Sequence, residues 1–211
     1  MAFDIHKSHR TILLLPAGIY VALVVLVAIL PALEMNDRYP ASATPPVDAR
    51  IRHGKALFES IGCVYCHTQQ IRGDERLTVR VDNRDVVPVI PADRRFGLAV
   101  PTTAEDYAGD VPPLLGTQRT GPDLTNVGDR LPDVQWHYWH LYAPRSVSPD
   151  SVMESYTWLF HTKATKKEAD QPVDLIDAIK DGIPGGELWA TPDAQDLAEY
   201  LISLRRKVAP R

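Results

Sequence analysis

Both cysteines of this chain lie in one pentapeptide, Cys63-Val64-Tyr65-Cys66-His67, and no other feature restricts the fold as tightly. The C-x-x-C-H spacing is that of a c-type haem attachment site. Each thiol can form a thioether to a haem vinyl group, and the adjacent imidazole of His67 is placed under the iron as proximal ligand. The expectation is a domain folded around one covalently bound haem c, held through Cys63 and Cys66.

Other uses of the pentapeptide need features the sequence does not supply. A structural zinc site wants four Cys or His ligands at set spacings, and there is no second cysteine pair. A thioredoxin-like dithiol would follow a strand in a βαβ unit, whereas Arg52 to Ile61, just before Cys63, is spaced as a helix. A disulfide between Cys63 and Cys66 would leave the placement of His67 without a role.

The chain has 211 residues, a formal net charge of −4 and 45% hydrophobic residues, enough for one compact domain and something extra. The extra part is Ile12 to Leu33, a run of 22 residues without a charged side chain. That is about what a helix needs to cross roughly 30 Å of hydrocarbon. Pro16, Gly18 and Pro31 fall near its ends, where a helix tolerates them best. A cleaved secretory signal shares the basic start, Lys7 and Arg10, but has an apolar core of only about 7–15 residues and an A-x-A-like site. An uncleaved anchor over residues 12–33 is therefore expected. Basic residues precede the span and Glu34 and Asp37 follow it, which places residues 1–11 in the cytoplasm and the haem domain outside. The mild acidity says little about nucleic acid, but it argues against a phosphate-binding surface; no nucleic-acid partner is expected.

After the span, residues 34–50 carry Pro40, Pro45 and Pro46 among small and polar side chains and read as a semi-extended tether. Residues 51–207 form the haem domain, which reads as mostly α. Gly54, Leu57, Phe58 and Ile61 put small or apolar residues on one helix face before the cysteines. A terminal helix follows Thr191 as N-cap and Pro192 at the first position, with Leu197, Tyr200, Leu201 and Leu204 as its apolar stripe and Arg205, Arg206 and Lys207 at its negative end. Gly54 would let that helix approach closely. Two further helices are expected, at about 133–142, stopped by Ala143-Pro144, and at about 173–181, stopped by Gly182. Residues 73–118 have no sustained helical period. Alternation at Leu77, Val79 and Val81, followed by apolar Val86 to Ile90, fits a short hairpin turning near Asn83.

A haem iron held by His67 either keeps its other face open for chemistry or closes it with a second side chain to become an electron carrier. Met1 and Met35 flank the span, so Met153 is the sole thioether within the domain and the expected sixth ligand. His137, His140 and His161 are alternatives, and His53 sits too close to the cysteines to reach the far face. His137 and His140 lie with Trp136, Tyr138, Trp139 and Tyr142 on one helix, which reads first as an aromatic packing or partner-facing element. The acidic run Glu168, Asp170, Asp174, Asp177 and Asp181 reads as a solvated face, with attraction of a basic donor as the alternative.

Gly54-x-x-Leu57-Phe58 before Cys63-x-x-Cys66-His67, then Arg119 to Leu124, then Tyr200 in a terminal helix together resemble a class I cytochrome c. More specifically, Thr68 to Arg72, Arg95-Phe96-Gly97, Gly116 to Leu124, Trp136-His137-x-x-His140-Leu141, Pro144-Arg145 and Ser151-Val152-Met153-x-x-Tyr156-x-Trp158-Leu159 resemble the monohaem, membrane-anchored subunit of cbb-type cytochrome c oxidase. Glu154 stands where that family usually has Pro, and residues 73–94 depart from its pattern. The resemblance implies a class I cytochrome c domain on a single N-terminal transmembrane helix, in the bacterial inner membrane with the haem on the periplasmic side. It implies His67 and Met153 as axial ligands, the Pro122 carbonyl as hydrogen-bond acceptor for the His67 ring, and Arg119 and Arg145 as propionate partners. It also implies a subunit with no catalysis of its own, relaying electrons in aerobic or microaerobic respiration from a dihaem or soluble cytochrome c to a catalytic heme-copper subunit. Alternatives are the cytochrome subunit of a nitric oxide reductase, a free-standing tethered carrier, and an enzyme or gas sensor acting at an open haem.

Overall fold

In the computed structural model of the chain, the described residues are 8–38, 47–74, 79–81, 84–86, 88, 90, 93, 100–107 and 110–205. They divide into two compact units, an N-terminal helical one and one that begins at residue 46.

The N-terminal helix runs His9–Arg38, as α1 (His9–Val24), one π-helical turn (Val25–Ile29) and α2 (Leu30–Arg38). Ser8 caps it, its hydroxyl accepting from Thr11 N–H at 3.4 Å. Its side chains from Ile12 to Leu33 are almost all exposed within the chain, and the helix is long and apolar enough to cross a membrane. Helix extends five residues past Leu33, so residues 34–38, expected in the tether, are helical instead. Arg38 closes the last turn by an i,i+4 ion pair with Glu34 at 2.7 Å.

The second unit is organised around the crossing of α3 (Ala49–Ser60) and α8 (Pro192–Ser203). Asp48 caps α3 by accepting from Arg50 N–H at 2.7 Å, and Thr191 caps α8 ahead of Pro192 as expected. A Cβ on Gly54 would lie 2.8 Å from Tyr200 Cβ and overlap the Asp196 carbonyl, so only glycine permits this approach. Phe58 meets Tyr200 edge-on at 5.6 Å, and Leu197 and Leu201 complete a core in which each large apolar side chain contributes about 1.5–3 kcal/mol. Asp196 ties the same crossing at the surface, accepting from Arg50 Nε at 2.8 Å and pairing with His53 Nδ1 at 2.9 Å. Arg205 follows α8 and donates from Nε to Ile202 O at 3.1 Å, capping a terminal carbonyl.

Between these helices lie α4 (Val127–Arg130), α5 (Val134–Tyr142) and α6 (Pro144–Val147). Asp133 caps α5 by accepting from Gln135 N–H at 3.0 Å, and Ala143, extended before Pro144, ends it. The hairpin forms as β1 (Val79–Val81) against antiparallel β2 (Arg84–Val86), with Val81 opposite Arg84. Leu77, Asn83, Val87 and Val89 lie outside the described residues. The helix expected at 173–181 shrinks to one turn, α7 (Asp177–Lys180). Its start is taken by a small antiparallel sheet in the order β3 (Phe160–Thr162), β5 (Leu188–Ala190), β4 (Gln171–Pro172), and Val173 N–H extends that pairing to Leu188 O at 2.9 Å. Strands this short carry no readable alternation.

Candidate haem site

His67 closes the C-x-x-C-H turn, a 3-10 turn over Cys63–Tyr65 that begins at left-handed Gly62. Its Nδ1–H donates to the Pro122 carbonyl at 2.8 Å. A carbonyl only accepts, so this bond fixes the tautomer and leaves the Nε2 lone pair available. Burial holds the His67 imidazole below the usual histidine range, against the opposing pull of the Pro122 carbonyl. Gly121 lies flat against the ring, where an added Cβ would sit 2.7 Å from Nδ1. Gly116, at φ +79°, lets residues 115–116 pass the His67 carbonyl, and Leu115 O accepts from Gln69 N–H at 3.0 Å.

One cleft, of about 580 Å³ including its open part, is lined by His67, Cys63, Pro122 and, from the opposite direction in sequence, Met153. Its walls are apolar: Phe58, Leu197 and Leu201 from the helix crossing, and Trp136 and Leu141 from α5. Met153 is carried by an extended loop anchored to α5, because Tyr156 N–H donates to Leu141 O at 2.8 Å. Cys63 is buried and Cys66 exposed. Burial pushes the Cys63 thiol up to about 11, so it is a poor thiolate on its own.

The histidines separate clearly. His53 pairs with Asp196, and His161 Nδ1 pairs with Asp170 at 2.6 Å, neither among the cleft-lining residues. His137 lines the cleft but its Nε2 donates to Leu131 O at 2.9 Å. His140 also lines it, stacked on Trp136 at 4.8 Å, and burial together with the nearby His67 and His137 pulls it down to about 4.

Arg119 is not among the lining residues. Its guanidinium is engaged by Asp93, Asp123 and the Gln70 carbonyl, and its Nε donates to Thr68 Oγ1 at 2.8 Å. Arg145 is exposed on α6, also away from the lining. The cation in the wall is Arg130, which sequence reasoning missed. It donates from Nη2 to Asp123 O at 2.6 Å, its Nε is buried with no protein partner, and burial lowers its pKa. Its signal was its place at the end of the short helix after Gly121 to Leu124.

The residues present suit a haem. There is an imidazole with a free Nε2, a thioether facing the same cavity, an apolar wall, the Cys63 thiol in the lining with Cys66 three residues on, and a buried guanidinium nitrogen awaiting an anion. Over residues 4–184 the chain matches the family described as cytochrome c oxidase, mono-heme subunit (FixO), and it belongs to that family of single-haem oxidase subunits. The family agrees with the motif resemblance, and its single-haem description gives the cofactor class against which this cleft is to be read. The chain is also similar to centrosomal protein of 68 kDa from Mus musculus, at 31% identity over 108 residues. That likeness covers 50% of this chain and 14% of the other protein, and so small a share of the relative carries no statement about its activity.

Proposed function

We propose that this chain is the electron-transferring subunit of a cbb-type cytochrome c oxidase, carrying one covalent haem c between a donor cytochrome and the catalytic heme-copper subunit. The observation that supports it best is that His67, its ring set by Pro122, and Met153, distant in sequence, line one apolar cleft beside Cys63. When bound, haem c supplies a one-electron Fe(III)/Fe(II) couple.

The chain's own residues do the rest. Cys63 and Cys66 hold the porphyrin edge as thioethers. His67 Nε2 and the Met153 sulfur would hold the iron between them, and with both bound no position would be left for oxygen. Pro122 raises the basicity of His67 by accepting its ring proton. Arg130 offers a propionate the charge partner its buried Nε lacks. Phe58, Leu141, Leu197 and Leu201 exclude water and so weight the couple by the low polarity around it. Exposed Tyr65, Val152 and Trp158, close in sequence to the ligands, offer apolar surface against which a redox partner can sit.

In this reading residues 1–11 are cytoplasmic, 12–33 span the inner membrane with 34–38 continuing the same helix, the chain between Arg38 and α3 tethers, and 51–207 form the periplasmic class I cytochrome c domain. The tether keeps the haem at high effective concentration near its membrane partner. The test is isolation of the full chain from native membranes. A pyridine haemochrome that stays with the polypeptide in acidified acetone, and co-purification with a large subunit containing copper, are expected. Pigment released into the solvent overturns the covalent haem, and a partner holding non-haem iron instead of copper points to a nitric oxide reductase. Met153→Ala should turn a low-spin spectrum into one that binds carbon monoxide in the ferrous state, and an unchanged spectrum overturns the ligand assignment.

A further inference from the structure

The geometry points to Asp123 as a positioning residue for His67: its buried carboxylate locks the segment that carries the imidazole to the segment that carries the carbonyl accepting the ring proton. The inference rests on the haem reading above. Asp123 is fully buried and directly follows Pro122. Its Oδ2 accepts from Thr68 Oγ1 at 2.5 Å and from Gln70 N–H at 2.9 Å, and its Oδ1 accepts from Thr125 N–H at 2.8 Å. Thr68 directly follows His67. Asp123 thus joins the two segments just C-terminal to the His67–Pro122 bond, and two backbone bonds, Gly121 N–H to Cys66 O at 2.9 Å on its other side and Leu124 N–H to Thr68 O at 2.8 Å, set their register.

The hydroxyl of Thr68 has one proton, and its direction is determined. Arg119 Nε donates to Thr68 Oγ1 at 2.8 Å, so the hydroxyl must give its own proton to Asp123. Every contact to the Asp123 carboxylate is therefore a donor, which an apolar side chain could not replace. A buried carboxylate is costly to desolvate, and here its hydrogen bonds converge on the turn whose spacing sets one bond, His67 Nδ1–H to Pro122 O. That bond increases the electron donation of the ring and favours the oxidised metal. Loosening it favours the reduced metal and raises the midpoint potential.

Two variants of the full-length haem protein test this. Thr68→Val keeps shape and charge but removes the hydroxyl link; Asp123→Asn removes the charge and one acceptor. Both are expected to raise the midpoint potential, Asp123→Asn more. In the reduced protein, ¹⁵N-histidine NMR should show the Nδ1–H of His67 exchanging with solvent roughly tenfold faster, the factor that loss of about one ordinary hydrogen bond carries. A Thr68→Val protein at full haem content, with unchanged potential and unchanged exchange, overturns the proposal, even if Asp123→Asn shifts the potential through its charge alone. Should Asp123→Asn fail to fold, Thr68→Val decides by itself. A wild-type chain without a haemochrome band instead ends the underlying haem reading, before either variant is compared.

Discussion

At the scale of single residues, the cleft is governed by which polar atoms have partners and which do not. His137 spends its ring proton on Leu131 O, His161 and His53 are held by carboxylates, and Arg119 is consumed by buried Asp93 and Asp123. Arg130 Nε and His140 Nδ1 remain, both buried and unpartnered among the described residues, and of the two only Arg130 brings a positive charge. If a propionate meets it, Arg130→Gln removes a positive charge beside the couple and favours the oxidised form. The midpoint potential should fall by roughly tens of millivolts, 59 mV being a tenfold change in equilibrium for a one-electron couple. The drop should grow as pH rises, because a propionate deprived of its cation titrates at higher pH and its ionisation stabilises the oxidised metal. Potentiometric titration of variant and wild type at several pH values checks both statements; equal potentials would place the propionates elsewhere.

At the scale of elements, two junctions determine whether the cleft keeps its shape. The first is the α3–α8 crossing. Gly54→Ala puts a methyl into the Asp196 carbonyl, which as backbone cannot yield, and the helices must separate. Overpacking of this kind costs about 1–3 kcal/mol, more than the roughly 1 kcal/mol that Ala gains over Gly in helix propensity. A lower Tm and reduced haem loading should follow, read by thermal melting and haem content per polypeptide. The second junction fastens residues 73–118 to the turn after His67. Asp93, fully buried, accepts from Arg72 N–H at 2.7 Å and from Arg72 Nη2 at 3.0 Å, and pairs with Arg119. Burial pushes its carboxyl up, but Arg72 and Arg119 outweigh it and hold the group below the ordinary carboxylate range. A depressed carboxyl contributes stability that is complete above its unfolded pKa of roughly 3.9 and is lost as pH falls through the lower folded value. Asp93→Asn should therefore cost about 1.5–3 kcal/mol at neutral pH and flatten the loss of stability below about pH 4. Denaturant unfolding across pH 3–7 measures both; parallel curves for variant and wild type would contradict the prediction.

At the scale of the whole molecule, a helix near the N-terminus long and apolar enough to cross a membrane precedes a domain matched to the mono-heme oxidase-subunit family. With residues 1–11 in the cytoplasm, protease added to intact spheroplasts should remove the domain that follows Arg38 and spare an N-terminal tag. Loss of the tag with survival of the domain would reverse the orientation. Much of this plan is legible in the chain itself. The C-x-x-C-H motif, the uncharged run, the helix start near Asp133 and the cap at Thr191 act through neighbours a few positions away, so spacing alone exposes them. The expected 173–181 helix was mostly not formed because Val173 found a strand partner at Leu188, fifteen residues on, and short-range pattern does not register such a pairing. Likewise Arg119 looked like a propionate partner until the fold gave it Asp93.

What the linear order determined by itself is the local geometry: two thiols and an imidazole in one turn, an apolar stretch of membrane length, helix starts and stops. Only the tertiary structure decided that Met153 faces the same cleft as His67, that Pro122 rather than water takes the ring proton, and that Arg130 and not Arg119 reaches the wall. Those outcomes depend on contacts between segments dozens of residues apart, whose energies are settled by packing and by competition for buried hydrogen-bond partners, quantities that exist only once the chain has closed on itself.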